Sequence, residues 1–433
     1  MGPTRRIFVG INCESLQRIS MISRCILISS STPTIYTPPA TTPPSTNGKY
    51  TGRRRFSRHS SDFCPISKPP MALKAAAVAD IPALDQVHER VSSISLTSPS
   101  PRKPARFAVI GHRGNGMNSW SSPSVSVREN SILSFNQAAK FSIPFVEFDV
   151  QVTSDGVPVI FHDVFILTGD VDAVADRRVT DLSLNEFLSY GSQREPTSPG
   201  KPLLRRTADG KVYKWAVEAD DPLCTLEEAF RRVDARLGFN IELKFDDDLI
   251  YTEENLVKTL EIIVRSVCTN AGGRSVIFST FQPDAARIVR RLQQDYPVFF
   301  LTDGGTKSFS DARRNSLEEA VKLCAENGLE GIVSEVRGVL RNPAAVAGIK
   351  KAKLSLLTYG GLNNTAEVVY MQYMMGIDGV IADRVKEISD AVGSFQGQGM
   401  GDGGGEEMRE ARPSFSEAQL SYLLELIAEL VRQ

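Results

Sequence analysis

The chain has 433 residues, of which 41% are hydrophobic and 8% are aromatic, a composition typical of a globular protein. Its 50 Lys and Arg residues nearly balance its 51 Asp and Glu residues, so the overall charge predicts no affinity for nucleic acid. No apolar run is long enough to cross a membrane, so we expect no transmembrane segment.

Residues 1–105 differ in composition from the rest of the chain. Up to Ala79 there are eleven Lys or Arg residues and two acids, and Ser, Thr and Pro are concentrated between Ser29 and Ser45. A basic, Ser-rich and acid-poor leader is typical of a transit peptide and predicts a plastid location. Two alternatives are open. The first is that the leader is a disordered tail without a targeting role. The second is that translation begins at Met71 and the protein is cytoplasmic.

Between residues 106 and 395, short apolar runs alternate with helical patterns. The predicted strands are 107–111, 145–149, 239–243, 275–279, 298–301, 330–333, 354–358 and 378–381. The predicted helices are 131–141, 225–236, 254–267, 283–294, 315–327, 341–350 and 364–375. Eight strands that alternate with helices predict a closed parallel (β/α)8 barrel of the TIM type.

One apolar run, 157–161, breaks this alternation. It follows the second strand after a turn that contains Asp155-Gly156, and an Asp-Gly turn between apolar runs indicates a hairpin. We therefore expect a return strand at the top of the barrel, outside the eight. Residues 163–224 are polar and rich in turn residues, which predicts an inserted cap or substrate-binding subdomain on the catalytic face.

Residues 396–433 form a Gly-rich linker followed by a predicted amphipathic helix. Apolar residues between Leu420 and Val431 recur at helical spacing after a capping-box start. We expect this helix to pack on the barrel or to be a loosely attached tail, and self-association through it is the alternative.

The cysteines predict no disulfide framework and no zinc site. The chain has six of them and no Cys-x-x-Cys pair. Cys224, Cys268 and Cys324 lie in periodic, apolar segments, so we expect buried free thiols in a reducing compartment.

Two histidines directly follow apolar strands. His112 comes after strand 107–111, and His162 comes after the run 157–161. Polar side chains at the carboxyl ends of TIM-barrel strands point into the active site. His112 and His162 are therefore candidate catalytic residues.

Three acids lie on neighbouring strands of the predicted barrel. Glu147 and Asp149 are two residues apart, so they share one face of their strand, and Glu242 lies near the end of the next barrel strand. Buried like charges are costly unless a cation neutralises them, and Mg²⁺ and Ca²⁺ both prefer carboxylate oxygens. We expect these acids to bind one such divalent metal. The alternative is that they form salt bridges with Arg113 and Lys244.

Arg113 and Lys244 are candidate phosphate-binding residues, because two cations beside a metal and two imidazoles suit a phosphate group. Glu129 and Asn130 immediately precede a predicted helix. They either orient His112 or Arg113 through hydrogen bonds or serve as a helix cap. Both roles are open.

The motifs that carry these residues are GHRGNGMN, ENSILSFNQA, VEFDVQVTSDGVPVIFHD and NIELK, in that order. Together they resemble the glycerophosphodiester phosphodiesterase family, particularly its plant members. The resemblance extends from Phe107 to Ile388. It implies a TIM barrel of the PLC-like phosphodiesterase type. The expected activity is metal-dependent release of sn-glycerol 3-phosphate and an alcohol from glycerophosphodiesters such as glycerophosphocholine and glycerophosphoethanolamine.

The resemblance also implies roles for single residues. By motif, His112 and His162 match the acid–base pair, Arg113 matches a phosphate contact, and Glu147, Asp149 and Glu242 match the metal ligands. The family's extra segment after its His-Asp motif corresponds to residues 163–224. Many bacterial members carry a Trp-Thr pair on the seventh strand, where this chain has Leu357-Thr358-Tyr359. This difference affects the expected alcohol preference more than catalysis.

We hypothesise a two-step phosphoryl transfer through a cyclic glycerol phosphate, in which one histidine acts as base and the other as acid. Which histidine begins as the base is open, as is the choice between Mg²⁺ and Ca²⁺. The alternative within the same fold is a lysophospholipase D. A glycoside hydrolase would leave the histidines and Arg113 without roles. A non-catalytic barrel is disfavoured because every expected catalytic position is filled.

Overall fold

The structure is a computed structural model that describes residues 106–118, 127–195, 198–207, 209–397, 415–416 and 419–420. The predicted leader, with its alternative start at Met71, lies outside the described residues. So does most of the predicted C-terminal helix.

The described elements are numbered here in chain order. The strands are β1 Ala108–Gly111, β2 Phe145–Val152, β3 Pro158–Ile160, β4 Phe165–Asp170, β5 Ala173–Arg178, β6 Leu204–Arg206, β7 Val212–Lys214, β8 Gly238–Leu243, β9 Val276–Thr280, β10 Val298–Thr302, β11 Gly331–Glu335, β12 Ser355–Tyr359 and β13 Gly379–Ala382. The α-helices are α1 Ile132–Ala138, α2 Leu184–Leu188, α3 Leu226–Arg232, α4 Glu253–Asn270, α5 Pro283–Leu292, α6 Leu317–Asn327, α7 Val336–Arg341, α8 Ala344–Lys351, α9 Ala366–Met375 and α10 Val385–Gly397.

Eight of the strands form a closed parallel barrel. The hydrogen-bonded order is β1-β13-β12-β11-β10-β9-β8-β2, and β1 also pairs with β2, which closes the ring. All eight predicted strands are present, with helices between most of them. The predicted TIM barrel is therefore confirmed.

Alternating side chains on each strand separate two hydrophobic clusters. On β12, Leu356 belongs to the large cluster between the strands and the surrounding helices, whereas Leu357 belongs to a smaller cluster with Ile110, Val333 and Ile381. Because these residues alternate with the outward-facing ones, the smaller cluster fills the inside of the barrel. On β2, Glu147 and Asp149 occupy the alternate positions that face the inside of the barrel, so their side chains lie in its interior.

The hairpin prediction is confirmed, because β3 pairs antiparallel with β2 and places Val150 opposite Ile160. The insertion after it forms a four-stranded antiparallel sheet in the order β5-β4-β6-β7. This sheet encloses its own core, which includes Phe161, Phe187 and Trp215. The sequence did not predict these strands because β6 and β7 have only three residues each and β5 is largely exposed, so no apolar alternation marks them.

Two helix predictions differ from the structure. The predicted helix 341–350 corresponds to α8, which begins at Ala344 because Pro343 stands at its N-cap, whereas α7, which ends at Arg341, was not predicted. Helix α10 was not predicted. At the C-terminal end, Phe415 packs on a cluster that includes Val336 and Met371.

The prediction of buried thiols is correct for Cys224 and Cys324 and wrong for Cys268. Cys268 lies on α4, where its helical position falls on the solvent-facing side. Within the described part of the chain, no helix combines the length and the apolar character needed to cross a membrane.

Candidate active site

A cavity of about 500 Å³ opens at the carboxyl ends of the barrel strands. Six of the predicted site residues line it: His112, Arg113, Glu147, His162, Glu242 and Lys244. The other three, which are Asp149, Glu129 and Asn130, are buried and contact these residues or one another. The structure therefore brings all nine predicted residues into one connected group.

The three acids converge because strands β2 and β8 are in register. Asp149 lies opposite Glu242, and one oxygen of each of Glu147, Asp149 and Glu242 lies within 4.8 Å of the others. Burial and the charge of Asp149 raise the pKa of Glu147. Burial acts in the same direction on Asp149, but the charges of His162 and Lys244 lower the pKa of that residue overall.

The raised pKa of Glu147 indicates that the pocket does not readily hold Glu147 and Asp149 ionised together. A hard divalent cation would remove that repulsion, and its preferred ligands are carboxylate oxygens of this kind. Nearby, Oδ1 of Asn130 is buried and has no hydrogen-bond partner among the described residues. These carboxylate and amide oxygens are therefore suitable ligands for such a cation.

The ion pairs expected under the alternative interpretation are also present. Nζ of Lys244 lies 2.8 Å from Oε1 of Glu242 and 3.5 Å from Oδ1 of Asp149. Nε of Arg113 lies 3.6 Å from Oδ2 of Asp149. Two cations thus offset part of the charge of the three carboxylates, so the geometry is compatible with a metal site and with the ion pairs alike.

His112 follows β1 directly and is anchored by a carboxylate that the sequence analysis missed. Its Nδ1 lies 2.7 Å from Oδ1 of Asp383, and its Nε2 lies 4.0 Å from Oε2 of Glu147. Burial lowers the pKa of His112, but the hydrogen bond and charge of Asp383 more than offset this, so the pKa is raised. Asp383 comes just after the eighth predicted strand, and that strand-end position was the available signal.

His162 has a similar partner. It follows the hairpin strand β3, and its Nδ1 lies 2.7 Å from Oδ1 of Asp163. Burial raises the pKa of Asp163, but the hydrogen bond with His162 and the charge of Arg205 lower it overall. In both histidines Nδ1 is engaged by a carboxylate, so Nε2 is the nitrogen left to exchange a proton with a ligand.

Arg113 lies in a tight turn between β1 and the cavity. Its backbone is left-handed, with φ of 49°, and Gly114 follows with φ of 94°. This turn directs the backbone N–H of Arg113 to Oε2 of Glu147 at 2.9 Å and its Nη1 to Oε1 of Glu129 at 2.8 Å. Glu129 thus orients Arg113.

Asn130 contacts the carboxylate cluster. Its Nδ2 donates to Oδ2 of Asp149 at 2.8 Å. The cap of α1 is instead made by Ser131, whose hydroxyl accepts from the backbone N–H of Ser134. The helix-cap interpretation is therefore wrong for Asn130, and its contact orients a carboxylate.

The rest of the cavity lining comes largely from strands β9 to β12, from the residues that follow β9 and β10, and from α7. Tyr359 lies at the end of the seventh barrel strand, and its hydroxyl donates to Oδ1 of Asp303 at 3.2 Å. Its ring meets that of Phe281 edge-on, with ring centroids 5.9 Å apart. Tyr359 and Phe281 together give this part of the cavity an aromatic surface.

The chain matches known proteins over the same region. The model of the glycerophosphoryl diester phosphodiesterase family matches residues 112–387. The Arabidopsis thaliana protein named glycerophosphodiester phosphodiesterase GDPD1, chloroplastic, is 52% identical over 366 residues, which cover 84% of this chain and 100% of that protein. Glycerophosphodiester phosphodiesterase GDPD2 of the same plant is 52% identical over 373 residues, with the same two coverages.

A solved structure is similar in fold. It is that of a Silicibacter pomeroyi protein provisionally named a glycerophosphoryl diester phosphodiesterase, and it superposes with a TM-score of 0.51 at 21% identity. The match covers 67% of this chain and 95% of that one. The family model covers the barrel, and the Arabidopsis relatives align along their whole length. The chain therefore belongs to the glycerophosphoryl diester phosphodiesterase family and is a phosphodiesterase.

Proposed function

We propose that this chain is a metal-dependent glycerophosphodiester phosphodiesterase that releases sn-glycerol 3-phosphate and an alcohol. The observation that carries the proposal is the convergence of three carboxylates, two carboxylate-anchored histidines and Arg113 at one cavity. The names of the Arabidopsis relatives agree with it. Glycerophosphocholine and glycerophosphoethanolamine are the substrates we expect.

Glu147, Asp149 and Glu242 would hold the cation, which is Mg²⁺ or Ca²⁺ because three carboxylates suit either ion. When bound, the ion polarises the phosphate and makes a neighbouring hydroxyl more acidic. Lys244 stays close to Glu242 and Asp149, so it balances their charge and is also available to the phosphate.

In the first step, one histidine takes the proton of the glycerol 2-hydroxyl, and that oxygen bonds to phosphorus. The bond between phosphorus and the alcohol oxygen breaks at the same time, and the other histidine gives its proton to the departing alcohol. Arg113 lies at the cavity wall, where its guanidinium binds the negatively charged phosphate oxygens. The product of this step is a cyclic glycerol phosphate.

In the second step, water opens the ring and the histidines exchange roles. The first histidine now returns its proton to the 2-oxygen as that bond to phosphorus breaks, and the second takes a proton from water. Asp383 and Asp163 hold the two imidazoles in one tautomer through both steps, because each accepts a hydrogen bond at Nδ1.

The test is turnover of glycerophosphocholine by the full chain and by a protein that starts at Met71, each with Mg²⁺, with Ca²⁺ and with EDTA. We expect release of sn-glycerol 3-phosphate with at least one ion and none with EDTA. Hydrolysis of glycerophosphocholine that survives EDTA would contradict metal dependence. A preference for lysophosphatidylcholine in the same assay would assign the enzyme as a lysophospholipase D.

We also propose a plastid location. The basic, acid-poor leader supports it, and the name of the Arabidopsis relative GDPD1 describes that protein as chloroplastic. A fluorescent protein fused after residues 1–105 should enter plastids in plant cells. A fusion that begins at Met71 is the control, and plastid import of both fusions or of neither would contradict the role assigned to residues 1–70.

A further inference from the structure

Glu129 lies between two arginines that come from different parts of the fold. Its buried Oε1 accepts from Nη1 of Arg113 at 2.8 Å and from Nη2 of Arg205 at 2.6 Å. Its Oε2 accepts from Nη1 of Arg205 at 3.1 Å. Arg205 belongs to β6 in the insertion. One carboxylate therefore connects a barrel arginine with an insertion arginine.

The other edge of the Arg205 guanidinium faces a second carboxylate. Its Nε lies 3.7 Å from Oδ2 of Asp163, and Oδ1 of Asp163 accepts from His162 at 2.7 Å. A guanidinium is planar, and its donors are fixed relative to one another. A single rigid group therefore sets the distance between the carboxylate that orients Arg113 and the carboxylate that orients His162.

Arg205 is itself held firmly. It is 9% exposed, and its guanidinium stacks on the ring of Trp215 with a separation of 4.2 Å. The indole N–H of Trp215 donates to Oδ1 of Asn118 at 3.0 Å, which links the insertion to the loop after β1. Phe161, the residue before His162, packs on the same indole at 6.1 Å.

The charges indicate why two arginines share Glu129. Asp149, 3.6 Å from Arg113, already offsets part of the positive charge of Arg113. If Glu129 paired with Arg113 alone, it would offset most of the remaining charge. Arg205 takes two of the hydrogen bonds at Glu129, and positive charge on Arg113 stays available for a phosphate. Loss of Arg205 would also leave a buried carboxylate incompletely paired, which is costly.

We propose that Arg205 is a positioning residue through which the insertion aligns Arg113 with His162. It acts through Glu129 and Asp163 and does not contact the reacting atoms. This inference rests on the proposed phosphodiesterase function. It assigns the insertion a part in catalysis.

The test compares Arg205→Lys with Arg128→Lys in the full chain. Arg128 is a matched control because its guanidinium stacks on the same Trp215 at 4.8 Å, yet it donates to Asp220 at 2.9 Å. Lysine cannot form the two-pronged contact with Glu129. We expect Arg205→Lys to lower kcat about 100-fold, the size typical of misplaced catalytic groups. Arg128→Lys should stay close to wild type.

Binding separates positioning from loss of folded protein. Calorimetric titration with sn-glycerol 3-phosphate, in the presence of the activating ion, should show full stoichiometry and a weaker affinity for Arg205→Lys. Reduced stoichiometry with unchanged affinity would indicate a purely structural role and overturn the proposal. If the lysine variant does not fold, Arg205→Gln takes its place, because glutamine keeps two N–H donors without the charge.

A double-mutant cycle then tests the route through Glu129. In a Glu129→Gln background, Arg205→Lys should lower kcat by a smaller factor than it does in the wild type. Equal factors in both backgrounds would overturn the coupling. The two proposals fail separately. If wild-type protein does not hydrolyse glycerophosphocholine, the proposed function fails, whereas an active wild type with equally active Arg205 and Arg128 variants refutes this inference alone.

Discussion

The Nδ1 atom of His112 lies 2.7 Å from Oδ1 of Asp383, although the two residues are 271 positions apart. They follow β1 and β13, which are neighbours because the barrel closes. The carboxylate of Asp383 also accepts from the backbone N–H of Met117 and from the amide of Asn364. The closure of the barrel therefore fixes the orientation of one proposed catalytic histidine.

Replacing Asp383 with Asn should lower kcat/KM about 100-fold, within the usual range for general acid–base catalysis. Asp383 raises the pKa of His112, so the imidazole stays protonated to higher pH in the wild type. Without that carboxylate the pKa falls, and the limb of the pH–rate profile that reports His112 should move to lower pH. An unshifted profile would contradict the link.

His112→Ala and His162→Ala should each reduce turnover of glycerophosphocholine by about 100-fold or more. Both side chains are partly exposed at the cavity, at 25% and 33%, so the barrel should remain folded. Thermal melting serves as the control and should change little. Near-normal turnover in either variant would refute the two-histidine mechanism.

Binding of Mg²⁺ or Ca²⁺ should stabilise the folded protein by about 2.7 kcal/mol when the free ion is at one hundred times its dissociation constant. The midpoint temperature of thermal unfolding should rise accordingly. Burial and the charge of Asp149 raise the pKa of Glu147, so protons compete with the ion for this carboxylate. The stabilisation by the ion should therefore grow as pH rises and weaken as pH falls. Differential scanning fluorimetry with Glu242→Gln as control measures this, and an equal shift in that variant would place the ion elsewhere.

Ile241→Ala and Ile250→Ala provide a matched pair for core packing. Ile241 is 0% exposed on β8, next to Glu242, whereas Ile250 is 101% exposed. The first change should lower the free energy of unfolding by about 2–5 kcal/mol because it creates a cavity. The second should change it by less than about 0.5 kcal/mol. Denaturant titration measures both, and equal values would contradict the assigned packing.

Gly114→Ala should destabilise the protein more than Gly210→Ala. Both glycines have left-handed backbones, with φ of 94° and 85°, so both substitutions carry conformational strain. A Cβ at Gly114 would lie 2.5 Å from Oγ of Ser134, whereas one at Gly210 meets no atom within 4 Å. The alanine at 114 should also reduce activity, because it shifts the turn that carries Arg113. Urea unfolding and turnover are the measurements, and similar losses at both positions would argue against this crowding.

The alternation of strands and helices could be predicted from the sequence because each apolar run is a local pattern of side chains facing the core. The strands of the insertion could not be predicted in the same way. Its sheet is stabilised by a core that draws Phe161, Leu203 and Trp215 from separate segments. Strand β5 is also largely exposed, so its sequence carries no apolar period.

By itself, the sequence determined the barrel and the residue types at its strand ends, because periodicity and strand-end chemistry are local properties. It placed His112, Glu147, Asp149 and Glu242 at those ends. Tertiary structure alone decided their partners. The contact between His112 and Asp383 spans 271 residues, and that between Arg205 and Glu129 spans 76. Such pairings depend on the closure and register of the sheet, which no local spacing specifies.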